Sequence, residues 1–381
     1  MTNSLGIYIH IPFCVQKCHY CDFCSAPAGE DLKKQYVSAL IKNIASASRH
    51  FNKNTVDSIF FGGGTPTCLS PQALSEILDT VKKHYSVTKD AEISLECNPA
   101  TANIKDFKLL KASGFNRLSM GLQSTHNKEL KALGRIHTFE DFEKTFYDAR
   151  EAGFANINLD LMYGIPFQTE DSFKRTLETV VSYSPEHISA YALKIEPNTV
   201  FYKNRDSLIL PDEDREYNMY KRAIEILAEN GYGHYEISNY AKKGCQSKHN
   251  LKYWNCEDYV GFGISAHSCI GRNRYAVTSD IRKYLNSILI DDSNDYFVTE
   301  ETLSKEDFSE EYIMMRMRLD AGLSLSEYKK RFSAPLPQKY IERLYPFVKT
   351  GHIIFNNERY SLSDNGMYIS NYILSEVLDL E

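Results

Sequence analysis

Long apolar runs are missing from this 381-residue chain, and none approaches the ~20 consecutive apolar residues that a membrane helix needs. No charged-then-apolar leader opens it either. With nine cysteines, an odd number, these absences favour a reducing cytoplasm over an oxidising compartment and exclude a transmembrane segment, leaving only peripheral membrane contact open. Excess positive charge is also absent: 44 Lys and Arg face 50 Asp and Glu, for a net charge of −6. That balance gives no general attraction to nucleic acid. Neither a Walker loop nor a G-x-G-x-x-G fingerprint occurs. Low-complexity segments are lacking, tryptophan occurs once, and no two cysteine pairs have the spacing of a closed structural zinc site.

What the chain does have is a cysteine knot of sequence, Cys14 to Cys24, reading C-V-Q-K-C-H-Y-C-D-F-C. It follows a strand-like run, L-G-I-Y-I-H, broken by Pro12. Three thiols at C-x3-C-x2-C spacing suit zinc or an iron–sulfur cluster. A cubane on Cys14, Cys18 and Cys21 leaves one iron open for a substrate. Zinc closed by Cys24 or His19, or three packing cysteines, are the alternatives. Cys68, Cys97, Cys245, Cys256 and Cys269 stand alone.

With 43% hydrophobic and 25% charged residues, the composition is that of a globular protein with one large domain and a smaller one. Strand-like runs at 6–10, 58–61, 92–97, 117–122, 156–162 and 187–192 alternate with helical patterns. Val37, Leu40, Ile41 and Ile44 share one helix face, and Leu74, Ile77, Leu78 and Val81 another. Ser70 before Pro71 reads as an N-cap and first-turn proline. Six successive β-α units predict a parallel sheet, either doubly wound or closed into part of a barrel. Polar residues gather at the predicted carboxyl ends of strands, where such proteins keep their sites. They are Gly62-Gly63-Gly64-Thr65-Pro66, Glu96, Gln123, Arg135 and Asp160. Any one of them is equally a turn, a cap or a surface charge; the shared placement is what carries weight.

The stretch Y-I-H-I-P-F-C-x3-C-x-Y-C resembles the opening of radical S-adenosylmethionine (SAM) proteins, in the branch of oxygen-independent coproporphyrinogen III oxidase. The resemblance implies an α/β fold, a partial (β/α)6 barrel, over residues 1–235. It implies a [4Fe–4S] cluster on Cys14, Cys18 and Cys21 whose open iron chelates SAM, an electron then splitting the sulfonium to a 5′-deoxyadenosyl radical. Position by position it places Tyr8, Tyr20, Gly63, Gly64, Thr65, Glu96, Gln123, Arg135 and Asp160 at SAM.

Residues 236–297 hold Lys248-His249-Asn250-Leu251-Lys252-Tyr253-Trp254, followed by a Gly-rich turn with His267, a second-rank candidate. On chemistry alone His249 is either a heme ligand with aromatic neighbours or a satisfied histidine in a small aromatic core. H-N-x-x-Y-W resembles the motif of the heme chaperone branch, implying heme at His249, Tyr253 and Trp254 and its delivery to apoproteins. A protein that reduces the cluster is implied as a further partner.

Residues 298–381 are predicted to form a small, mainly helical, winged-helix-like domain, with helices at 308–319, 324–332 and 337–350 and a hairpin about Asn356-Asn357. From Glu300 onward ten basic residues face fourteen acidic ones, a local −4 that argues against a DNA-reading face. The oxidases carry C-x3-C-x2-C-x-C and an extension ahead of the first strand. Here Phe23 takes the last slot, Cys24 falls one residue late, and the first strand begins close to Met1. Both departures favour the chaperone. The oxidase, and a radical SAM enzyme with an unrelated substrate, are the other two readings.

Overall fold

The computed structural model describes residues 4–51, 53–293 and 296–379. Six parallel strands build its centre: β1 (Ser4–Ile11), β2 (Thr55–Gly63), β3 (Ser86–Cys97), β4 (Arg117–Gln123), β5 (Ile157–Tyr163) and β6 (His187–Ala192). Between them run α1 (Glu30–Ala47), α2 (Pro71–His84), α3 (Ile104–Ser113), α4 (Asn127–Ala132), α5 (Phe139–Glu151) and α6 (Glu170–Ser182). Each strand pairs with the next in sequence, and β6 does not pair back to β1, so the barrel is partial, as the resemblance implies.

Strand alternation decides which side chains meet the helices. In β1, Leu5, Ile7, Ile9 and Ile11 are fully buried, while Gly6, Tyr8 and His10 point the other way, into the barrel. Val37, Leu40 and Ile44 of α1 and Leu74, Ile77, Leu78 and Val81 of α2 cover that outer layer. Each such buried aliphatic side chain contributes roughly 1.5–3 kcal/mol. Ser70 caps α2 by accepting from the Ala73 amide, with Pro71 in the first turn. Capping boxes start α3, α5 and α6, so these helices begin right after the loops at the upper, carboxyl end of the strands.

The sheet continues past both edges of the barrel. After α7 (Val200–Lys203) and α8 (Glu213–Glu229), β7 (Gly233–Glu236) and β8 (Asn239–Ala241) form an antiparallel pair on β6. After α9 (Lys248–Trp254), β9 (Tyr259–Phe262) pairs parallel to β1. Beyond it lie β10 (His267–Ile270), β11 (Asn273–Val277), α10 (Ile281–Leu289) and β12 (Phe297–Thr302), whose strands are antiparallel. The predicted Gly-rich turn about His267 is therefore two short strands: Gly261 lies so close to the His267 carbonyl that a Cβ would meet it at 2.4 Å. Glycine there permits close pairing, which a sequence pattern reads as a turn.

The last elements are α11 (Lys305–Met317), β13 (Leu323–Ser324), α12 (Leu325–Phe332), α13 (Gln338–Lys349), β14 (Ile353–Asn356), β15 (Arg359–Leu362), α14 (Asp364–Tyr368) and α15 (Ser370–Leu378). Helix, strand, two helices and a hairpin in sheet order β13-β15-β14 make the predicted winged-helix-like unit. Among the described residues no helix is long and apolar enough to cross a membrane.

Candidate functional site

The cysteine loop leaves β1 and is closed at its neck. Ala26 N–H donates to Pro12 O (2.9 Å) and Cys14 N–H to Ala26 O (3.2 Å). It rests on the loop after α4 through His19 N–H to Leu133 O (3.0 Å) and Gln16 Nε2 to Gly134 O (3.3 Å). The glycine turn after β2 fits beneath it: Gly64 N–H reaches Ile11 O (2.8 Å) and Thr65 N–H reaches Phe13 O (2.7 Å). Gly63 has φ +113°, and a Cβ there would lie 2.5 Å from the His10 ring; one on Gly64 would lie 3.0 Å from Cys14 Sγ. Only glycine allows this approach.

Cys14, Cys18 and Cys21 open into one cavity of about 280 Å³ together with Tyr20, Gly63, Gly64, Thr65, Glu96, Gln123, Arg135 and Asp160. The structure thus brings together every residue expected at the cluster and SAM except Tyr8. Tyr8 lies one layer below, its hydroxyl 3.1 Å from His10 Nδ1. Donors aim at two of the sulfurs: Thr65 Oγ1 at Cys14 (3.6 Å) and Arg135 Nη1 at Cys18 (3.5 Å). His19 turns away, its Nδ1 3.2 Å from Ala132 O and its ring against Phe201. Cys24 is outside the cavity wall and packs against the core, while Phe23 lines the cavity and is 63% exposed. Among the described residues no three His, Cys, Asp or Glu side chains are gathered to share a single metal ion. The thiols stand as a spread set around a space.

At the strand ends, β4 shifts register between Gly121 and Gln123, and Gln123 sits at φ +69°, a strained conformation for a side chain with a Cβ. The irregularity accompanies the turn of its amide toward Tyr191 Oη (3.0 Å) at the cavity wall. Glu96 is half-buried at the cavity wall and held by one donor, Gly63 N–H at 3.1 Å. Burial first, then the nearby Asp160 charge, pushes its carboxyl up to about 8. Asp160 is also raised by burial, against the donors Asn158 Nδ2 (2.7 Å) and Ser119 Oγ (3.3 Å). Sequence reasoning missed Asn98, which donates to Thr65 Oγ1 (2.7 Å) and accepts from Arg135 Nη2 (2.5 Å). It also missed Tyr191 and Ser119. Asn98 stands two residues after Glu96 in E-C-N-P, and that proximity was the available signal.

The H-N-x-x-Y-W segment is helix α9, at the lower end of the strands. Ser247 caps it, and the Lys248 and His249 amides donate to the Glu92 carboxylate (3.1 and 3.2 Å). His249 is 1% exposed. Its Nδ1 lies 3.0 Å from Ser58 Oγ and its Nε2 2.8 Å from Tyr253 Oη. The ring stacks on Phe60 at 5.4 Å and faces Tyr8 at 6.5 Å. Burial, with the Lys252 and Arg117 charges, lowers its pKa to about 3, so it is neutral. Lys252 is buried and paired with Asp57 (2.7 Å) and Glu257 (3.2 Å). The open axial nitrogen expected of His249 is not presented in this conformation, because both ring nitrogens already have hydroxyl partners. Tyr253 is one of them, and Trp254 is half-buried. His267 is exposed on β10.

Residues 8–180 match the radical SAM superfamily, and residues 303–369 match the HemN C-terminal domain. The solved coproporphyrinogen III oxidase (HemN) of Escherichia coli, a radical SAM enzyme, superposes with a TM-score of 0.87 at 24% identity, over 99% of this chain and 90% of that one. Barrel, cysteine loop and C-terminal unit are those of a radical SAM protein of HemN architecture. Curated relatives narrow the class. Heme chaperone HemW of Bacillus subtilis is 34% identical, covering 97% of this chain and 98% of that protein. HemW of Haemophilus influenzae is 34% identical over 99% and 98%, and that of Escherichia coli 37% over 83% and 82%. The chain belongs to the HemW family of radical SAM proteins.

Proposed function

We propose that this chain is a heme chaperone that holds a [4Fe–4S] cluster and SAM and delivers heme to apoproteins. The observation that supports the cofactor reading best is the convergence of three thiols and the strand-end polar residues on one cavity. The donor set fits a cluster better than a single ion: soft ligands only, two of them with donors at sulfur, around a space of about 280 Å³. Cys14, Cys18 and Cys21 hold the cluster, and the cavity's remaining groups hold SAM. A reduced cluster beside SAM supplies one-electron chemistry at a sulfonium.

The chain's own residues have separable tasks in this reading. Gly63, Gly64 and Thr65 let the backbone approach the amino-acid end of SAM. Asp160 and Gln123 suit ribose hydroxyls and adenine, with Arg135 bracing the floor through Asn98 and Gly121 O (2.6 Å). Glu96, held neutral near pH 7 by its surroundings, ionises when a ligand cation sits beside it. Phe23 presents a hydrocarbon ring at the cavity edge where the oxidases carry a cysteine, so we propose no decarboxylation of coproporphyrinogen III. Heme as cargo rests on the HemW relatives. For His249 to ligate iron, its imidazole must first give up Ser58 or Tyr253.

Anaerobic titration with heme, read by absorbance and by Trp254 fluorescence, tests the cargo. Saturable binding together with no protoporphyrinogen formed under reductant and SAM is the expected pair of results. Protoporphyrinogen formation would return the oxidase reading.

A further inference from the structure

Behind Asp160 a file of polar groups runs from the cavity wall down to the cap of α9. Asn158, His187, Tyr235 and Ser247 compose it, all buried and none of them lining the cysteine cavity. The Asn158 amide uses all four of its hydrogen-bonding positions. Its Nδ2 donates to Asp160 Oδ1 (2.7 Å) and to Ser119 Oγ (2.7 Å). Its Oδ1 accepts from His187 Nδ1 (2.6 Å) and from Ser189 Oγ (3.2 Å). Ser119 Oγ in turn donates to Asp160 Oδ2 (3.3 Å).

The position of each proton follows from the group before it. A carboxylate only accepts, so the Asn158 amide turns its nitrogen to Asp160 and its oxygen to His187. That oxygen also only accepts, so His187 carries its proton on Nδ1. Burial, with the Arg117 charge, keeps the imidazole neutral, and its Nε2 is then an acceptor. The donor there is Tyr235 Oη at 2.8 Å. Tyr235 Oη accepts from Ser247 N–H (3.3 Å), and Ser247 is the N-cap of α9. Every donor points the same way, from α9 toward Asp160. Reversing one link would strand a buried donor or acceptor.

The two Asp160 oxygens offer about four lone-pair positions. Asn158 and Ser119 fill two from behind, which leaves the others for the cavity that Asp160 lines. An acceptor of that kind suits the adjacent hydroxyls of a ribose. Resting on the SAM reading above, we infer that Asn158 and His187 are positioning residues for SAM: they hold the Asp160 carboxylate as an acceptor, at one angle, for the ribose hydroxyls. His187 lies outside the cavity and acts through Asn158. Tyr235 and Ser247 brace it from the other end of the barrel.

The test uses the full-length, cluster-loaded protein, with SAM affinity read from the reduced cluster's paramagnetic resonance spectrum. His187→Phe keeps a flat ring and removes both nitrogens. It should weaken SAM roughly fivefold, the loss of about one hydrogen bond, with iron and sulfide content unchanged. His187→Gln, whose amide again donates on one side and accepts on the other, should return most of that affinity. In an Asp160→Asn background, His187→Phe should cost nothing further, because its effect passes through Asp160. If the two losses add, His187 does not act through Asp160 and the inference falls. It falls equally if His187→Phe binds SAM as wild type does, and the SAM reading then stands. If wild type binds no SAM, that reading falls and takes this inference with it.

Discussion

The two ends of the barrel treat polar groups in opposite ways. At the upper end, buried or half-buried groups are left short of partners: Glu96 has one donor, and three thiols face a space. At the lower end, where α9 closes the barrel, the functional groups are paired: His249 to two hydroxyls and Lys252 to two carboxylates, with Glu92 of β3 accepting from two α9 amides. Buried polar groups left open cost stability and are kept where a ligand completes them, whereas a satisfied network fixes a structure. By that criterion the upper end stands open to a ligand, while α9 closes the lower end with a satisfied network. A motif's chemistry follows from its surroundings as much as from its letters.

The contrast breaks most sharply at the cysteines. Cys18→Ala should abolish the cluster, measured as iron and sulfide after anaerobic reconstitution, because two thiolates do not hold a cube. Full iron content in that variant would remove the cavity from the argument. His249→Ala should lower stability by roughly 2–4 kcal/mol, from the lost ring and two stranded hydroxyls. Denaturant unfolding checks it, and wild-type stability would show that these pairings add nothing to the fold. Asp160→Asn, at the open end, should do the reverse: SAM affinity falls by roughly tenfold, while unfolding stability holds or rises.

Glu96 gives a finer test through pH. Its folded pKa, about 8, lies above the ordinary 4.5, so between those values the native state holds a proton that the unfolded chain has lost. Stability of the cofactor-free protein should therefore fall as pH rises through that window, and Glu96→Gln should flatten the fall. An unchanged pH profile in the variant would mean that the carboxyl ionises freely. Smallest of all, Cys24→Ala should leave cluster content and spectrum as they are, since its side chain packs on the core. Loss of the cluster there would move the fourth cysteine into the site.

Sequence periodicity read the barrel well, because each strand alternates against its own neighbouring helices within some thirty residues. The six predicted runs lie within or overlap β1 to β6, and the tail's helices and hairpin fall where expected. The cavity's polar lining was legible in part for the same reason: Glu96 and Gln123 end or nearly end their strands, while Asp160 lies in the middle of β5 and still lines the cavity. What failed to show were features made by distant partners. The four-strand extension from β9 to β12 is short and glycine-broken, and its pairing is tertiary. The hydroxyl partners of His249 were hidden because Ser58, beside its Nδ1, is 191 residues away in the chain. Tyr191 was passed over because nothing local marks a tyrosine as facing a cavity.

The C-terminal unit grips the end of α9 and the nearby strand β7. Arg331 donates to Cys256 O (2.6 Å), Arg316 to Asn255 Oδ1, and Asp320 N–H to Tyr235 O (3.0 Å). Asn255 is the residue on which α9 ends. The winged-helix-like unit is thus a fastener for the barrel's lower closure. A barrel cut free of it at residue 302 would expose that closure to fraying, so the two parts are best expressed, purified and inherited as one piece.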